Sequence, residues 1–129
     1  MEPLVTFVAG LALIEYFAIT LQCGRARGRL GVPAPATTGH PEFERYLRVQ
    51  YNTIEQLVIF LPALAAFAFY VSPALAAVVG LVFVVGRIVY FRGYVADAPR
   101  RAPGVYLTAI AQAVLLLGGL AGALLALVG

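Results

Sequence analysis

An all-α bundle of four membrane-spanning helices is the fold this sequence predicts, and three observations predict it. Of the 129 residues, 62% are hydrophobic and 12% are charged. The charged share is about half that of an ordinary soluble domain, and mean hydropathy is +0.92. The apolar residues fall into four runs, each close to the ~20 residues that cross ~30 Å of hydrocarbon. Pro, Gly and many of the arginines gather in the short connections between the runs. So few charges cannot keep the surface of such a chain wet, and lipid must act as its solvent. We therefore read 1–129 as one four-span membrane domain, with helices at about 3–23, 41–71, 74–94 and 104–127.

The first run is apolar except for Thr6, Glu15 and Thr20, and starts behind Pro3. Residues 24–40 read as a loop, because Gly24, Gly28, Gly31, Pro33, Pro35 and Gly39 break helices at that density. The second helix begins at Pro41, a residue tolerated in a first turn. Glu42 and Glu44 suit the positive end of its dipole. Pro62 frees the carbonyl of Val58, which predicts a kink. Ser72-Pro73 makes a tight turn into the third helix. Residues 95–103 read as a loop holding Asp97, Pro99, Arg100, Arg101 and Pro103. In the fourth helix Gly118-x3-Gly122 permits close approach of a neighbouring helix.

Orientation follows from charge. Arg25, Arg27 and Arg29 lie in the first connection, and Arg100 and Arg101 in the third. The turn at Ser72 has no basic residue. Those two connections share one side of a four-span protein, and the positive-inside rule makes that side cytoplasmic. Both termini then face the opposite side. The start, Met1-Glu2-Pro3, lacks the basic region and small-residue cleavage site of a secretory signal. The first span is therefore expected to stay in the mature protein. The last residues carry no lipidation signal.

Several chemistries are thinly supplied. Cys23 is the one cysteine, His40 the one histidine and Ser72 the one serine. These make neither a disulfide, nor a metal site with enough soft or imidazole ligands, nor a serine-based triad. Cys23 reads as a small apolar filler and His40 as a loop residue. Nothing in the pattern calls for nucleic acid. All nine basic residues are arginine, which keeps its charge when buried and binds carboxylates through two parallel bonds. Arg25 and Arg29 also suit contact with anionic lipid head groups.

The informative residues are the polar ones within helices, where ionisable groups are costly and mark functional sites by default. Glu15, Arg48, Glu55 and Arg87 are the charged members. At ~100° per residue, Arg45, Arg48, Asn52, Glu55 and Gln56 fall within an arc of roughly 100°, and Gln50 points nearly the opposite way. Arg87, Tyr90 and Tyr94 share one stripe of the third helix. All sit toward the cytoplasmic ends, so they can meet in one crevice. Its arginines suit carboxylates, its glutamates an ammonium, and its amides peptide groups; a small, net-anionic peptide satisfies that set. The other reading is structural, with Glu15 or Glu55 paired across helices to Arg87 or Arg48.

The residues also carry a resemblance. Pro41-Glu42-Phe43-Glu44-Arg45 followed by Arg48-x-Gln50-x-Asn52-x-x-Glu55 resembles the signature of the membrane-associated proteins in eicosanoid and glutathione metabolism, the MAPEG family. Gly86-Arg87-x-x-Tyr90-Phe91-x-Gly93-Tyr94 and Thr37-Thr38-Gly39 are similar to that family too, so the likeness covers about residues 20–106. It implies a homotrimer that binds glutathione as co-substrate between subunits, toward the cytoplasm. It implies that Arg48, Asn52, Glu55, Tyr90 and Tyr94 hold the tripeptide from one subunit, while Arg27 and Gln50 reach it from the neighbour. Arg87, from the crevice reading, joins this binding set. Arg101 is expected beside the thiol as the activating residue, with Arg100 in reserve and Tyr90 or Tyr94 as hydrogen-bond donor to sulfur. Gln56 stands where many members have Tyr. The activity implied is glutathione transfer to apolar electrophiles, and reduction of lipid hydroperoxides is a second outcome. The alternatives are a non-catalytic lipid-binding relative and a small cation exporter that uses Glu15.

Overall fold

The structure, a computed structural model, describes residues 2–129. Four long helices alternate in direction: α1 (Pro3–Arg29), α2 (Pro41–Tyr70), α3 (Pro73–Ala96) and α4 (Ala102–Val128). A 3-10 turn over Ala98–Arg101 leads into α4. Each helix is long and apolar enough to cross a membrane, and the protein is a multi-pass integral membrane protein. Its outward surface is correspondingly apolar, with Phe7, Phe17, Val58, Phe69 and Leu127 all exposed. Among the described residues there is no strand.

The helix starts follow their caps. The Glu2 carboxylate accepts from the Val5 N–H at 2.9 Å, and the Ser72 hydroxyl accepts from the Leu75 N–H at 3.2 Å. Each cap satisfies one of the orphan donors of a first turn. His40, expected in a loop, is the N-cap of α2, and its Nδ1 accepts from the Glu42 N–H at 3.2 Å. α2 runs through Pro62 without interruption.

Helix α1 departs from the sequence reading. It continues about one and a half turns past Gly24, so Arg25, Arg27 and Arg29 lie on a helix and the loop is only residues 30–40. A glycine inside a helix costs only about 1 kcal/mol against Ala. Here that cost is offset by burying Cys23 and Ala26 in a cluster with Val32, Phe43 and Leu47. The true stop is Gly31, whose φ of 68° needs no Cβ. The Val32 N–H then bonds back to the Arg27 carbonyl at 3.1 Å, the closing bond of a Schellman cap. The third connection departs likewise: α3 extends to Ala96, the 3-10 turn takes Ala98–Arg101 and α4 starts at Ala102.

The main core lies between the helices and is built of small and aromatic residues. Phe60 of α2 and Phe83 of α3 stack with centroids 3.8 Å apart. Val5, Val8, Ala12, Leu64, Ala76, Ala77, Ala111 and Leu115 fill the space around them. Glycines let α4 approach its neighbours. A Cβ on Gly122 would meet Tyr70 Cβ at 2.8 Å, and one on Gly119 would meet the Phe67 backbone nitrogen at 3.0 Å. One on Gly104 would strike the Tyr90 backbone itself. Such overpacking costs typically about 1–3 kcal/mol, and backbone cannot rotate away as a side chain can. Gly104→Val is therefore expected to lower the unfolding midpoint in detergent, followed by circular dichroism. Gly10→Ala, where a Cβ meets nothing within 4 Å, is expected to leave it unchanged or raise it.

Candidate functional site

The alternation of helices brings the C-terminal ends of α1 and α3 and the N-terminal ends of α2 and α4 to one end of the bundle. The polar residues gather there. On α2, Arg48 and Glu55 are seven residues apart, on one stripe but about 10 Å apart along the axis. Their side chains stretch toward each other and pair at 3.4 Å. Both are about half exposed, at 49% and 56%, so neither is locked in the interior. Exposed pairs of this kind contribute little to stability, and both groups are free to exchange each other for a ligand. The pair lies within one helix, not between helices.

Along α3 and into the 3-10 turn lies a run of aromatic rings and guanidinium groups. The Arg101 guanidinium carbon lies 5.6 Å from the centre of the Tyr94 ring. The Tyr94 and Tyr90 rings are 5.5 Å apart. The guanidinium carbon of Arg87 lies 4.1 Å over Tyr90. Cations over tyrosine faces at this range are attracted by the ring quadrupole. Tyr90 itself is buried, 3% exposed, and lies within electrostatic reach of Arg48. Arg101 is exposed, and its Nη1 donates to the Ala98 carbonyl at 2.9 Å. That bond holds one end of the guanidinium against the 3-10 turn.

Beneath lies a buried polar layer. Arg87 is 1% exposed. Its Nη2 donates to Asn52 Oδ1 and to Thr53 Oγ1, both at 2.8 Å, and Nη1 reaches Thr108 Oγ1 at 3.5 Å. One guanidinium thus ties α3 to α2 and α4. One turn deeper, Gln112 of α4 donates from Nε2 to Gln56 Oε1 at 2.6 Å. Asn52, Gln56, Arg87 and Thr108, with Val105 and Ala109, line a cavity of about 250 Å³. Glu15 enters from α1 within electrostatic reach of Arg87, but among the described residues neither of its oxygens has a hydrogen-bond partner.

Some expected members stand elsewhere. Arg45 is spent on architecture: its Nε donates to the Val95 carbonyl at 3.0 Å and pins α2 to the end of α3. Arg27 donates to the carbonyls of Val32 and Ala36 at 3.2 and 2.8 Å and lies 4.6 Å over the Phe43 ring, so it braces the first loop. Gln50 is half-buried and lies away from the α2 stripe. Arg100, Arg101's neighbour, is exposed in the same turn. The sequence reading missed Thr53, Thr108 and Gln112. The signal was present for Gln112, a lone amide in an otherwise apolar span, since polar groups at that depth must find partners.

Fold and cleft together define a polytopic membrane protein with an arginine- and amide-lined polar cleft at one end of a four-helix bundle. The MAPEG family model matches residues 5–121. The chain belongs to the MAPEG family. It is 46% identical over 113 residues to an uncharacterized protein of Synechocystis sp., covering 88% of this chain and 82% of that one. It is 42% identical to human microsomal glutathione S-transferase 2, covering 84% and 72% of the two chains. It is 41% identical to leukotriene C4 synthase of Cavia porcellus, covering 83% and 70%.

Proposed function

We propose that this protein is a membrane-embedded glutathione transferase. It binds glutathione in the polar cleft, holds it as thiolate, and adds it to an apolar electrophile that arrives through the bilayer. The observation that carries this reading is the meeting of Arg48, Asn52, Glu55, Tyr90, Tyr94 and Arg101 at one end of the bundle. The name of the human relative, microsomal glutathione S-transferase 2, supplies the substrate. Arg48 suits a carboxylate of the tripeptide and Glu55 its ammonium. Arg27 and Gln50 lie away from that cleft, which suits contact with a neighbouring copy. We therefore propose a trimer with the tripeptide between protomers, and a cytoplasmic opening from the arginine pattern of the loops.

The chemistry needs a thiolate. A free thiol has a pKa of about 8.5, and a fixed guanidinium nearby favours its charged form. Lowering that pKa by about two units requires roughly 2.7 kcal/mol of differential stabilisation. Arg101 is the arginine for that role. It is exposed 5.6 Å from the Tyr94 ring, and its one hydrogen bond to Ala98 leaves its other donors free. Once the thiolate exists no general base is needed, and alignment with the electrophile contributes by proximity.

Two measurements test the reading. Purified protein is expected to develop an ultraviolet thiolate band when glutathione is added. It is also expected to turn over a chlorinated aromatic electrophile. A band without turnover would favour a non-catalytic relative, and calorimetry showing no uptake of glutathione would end the proposal.

A further inference from the structure

We infer that Arg87 is a positioning residue that fixes the Asn52 amide with its N–H donors toward the cleft, so that the floor of the site selects a hydrogen-bond acceptor of the ligand. The inference rests on the glutathione reading and adds to it a polarity and a residue behind the contact surface. Arg87 is buried too deeply to be a principal ligand contact itself, although it lines the cavity beneath the cleft.

Donors and acceptors fix the orientation of the Asn52 amide. A guanidinium carries donors and no acceptor. Asn52 can meet Arg87 Nη2 at 2.8 Å only through its carbonyl oxygen, because the reversed amide would set N–H against N–H. Thr53 fixes the guanidinium in turn. Its hydroxyl spends its proton on the Val49 carbonyl at 2.7 Å, so toward Arg87 it can only accept, also at 2.8 Å. Tyr90 holds the guanidinium on one face at 4.1 Å. With Oδ1 committed inward, the Asn52 Nδ2 hydrogens are the part of the amide left for a ligand in the cavity that Asn52 lines. They match a carboxylate or peptide carbonyl and refuse a donor. An asparagine without such a neighbour presents either end; here the ambiguity is removed from behind.

The test is a double-mutant cycle on full-length protein in detergent, with glutathione as the probe. Arg87→Lys keeps the charge but not the planar fork. It is expected to raise the glutathione KM about tenfold, the scale of one lost hydrogen bond to a charged group, with kcat within about twofold. In an Asn52→Ala background the same change is expected to cost no more than about twofold, since the residue it acts through is gone. A further full tenfold loss in that background, or a fall in kcat at unchanged KM, overturns the inference. Asn52→Asp provides a second reading that does not depend on altering Arg87. It keeps an acceptor for Arg87 but has no N–H to offer, so binding about tenfold weaker or more supports the assignment, and wild-type affinity overturns it. Wild-type protein that takes up no glutathione sinks the functional reading and this one with it. Wild-type binding with additive losses sinks this one alone.

Discussion

Arg101→Ala is expected to abolish most of the thiolate in the glutathione complex while leaving the complex itself intact. If the guanidinium lowers the bound thiol from about 8.5 to about 6.5, the thiolate fraction at pH 7 falls from about three quarters to about 3% when it is removed. The ultraviolet band should therefore shrink about 25-fold at saturating glutathione. Turnover should fall less. A more basic thiolate is the better nucleophile, and with a Brønsted slope of about 0.4–0.5 two units return roughly 6–10-fold. The sign of the pH effect is fixed by the same reasoning. Raising the thiol pKa moves ionisation to higher pH, so the deficit is largest at acid pH and closes as pH rises past about 8.5. A variant whose band titrates as wild type would move the activating role to Arg100 or to a tyrosine. Tyr94, under Arg101 at 5.6 Å, would be the first to examine.

Arg48→Ala is expected to fail at the other step. Arg48 is half exposed and pairs at 3.4 Å with Glu55 on its own helix. Its loss removes the guanidinium proposed to hold a glutathione carboxylate. Hydrogen bonds to charged groups contribute about 1.5–3 kcal/mol, so the dissociation constant should rise roughly 10–100-fold. At saturation the thiolate band should titrate where the wild type does, because Arg48 is assigned to the tripeptide backbone and not to sulfur. Calorimetry gives the first quantity and the band the second. If both substitutions weaken binding and neither moves the titration, activation and binding are not divided between these two arginines as proposed. Stability is not expected to change much, since the pair being broken is exposed.

The two variants sit at residues whose types and spacings were legible in the sequence. The two polar stripes were legible because helical geometry is local: Arg48, Asn52 and Glu55 share a face whatever surrounds them, and so do Arg87, Tyr90 and Tyr94. The four spans were legible for a similar reason, because hydropathy summed over about 20 residues needs no tertiary information. The end of α1 was not. Gly24, Gly28 and Gly31 are the same residue, and only at Gly31 does the chain take positive φ. What keeps α1 helical through the first two is Cys23 and Ala26 packing on Phe43 and Leu47 of α2, a contact with the next helix.

The roles within the polar set divide in the same way. Composition and periodicity alone determined that this chain spans a membrane four times and carries an arginine-rich polar stripe near one end. Both follow from transfer of side chains to lipid and from 3.6 residues per turn. Only the tertiary structure decided which of those arginines stays exposed and which is spent inside. Arg45 went to a carbonyl 50 residues away and Arg87 to an amide 35 residues away. Arg48 and Arg101 were left exposed, with donors free. Such partners are chosen by how α2, α3 and α4 cross, which is set by glycines at their contacts and by aromatic packing between them. No pattern within one helix contains that information.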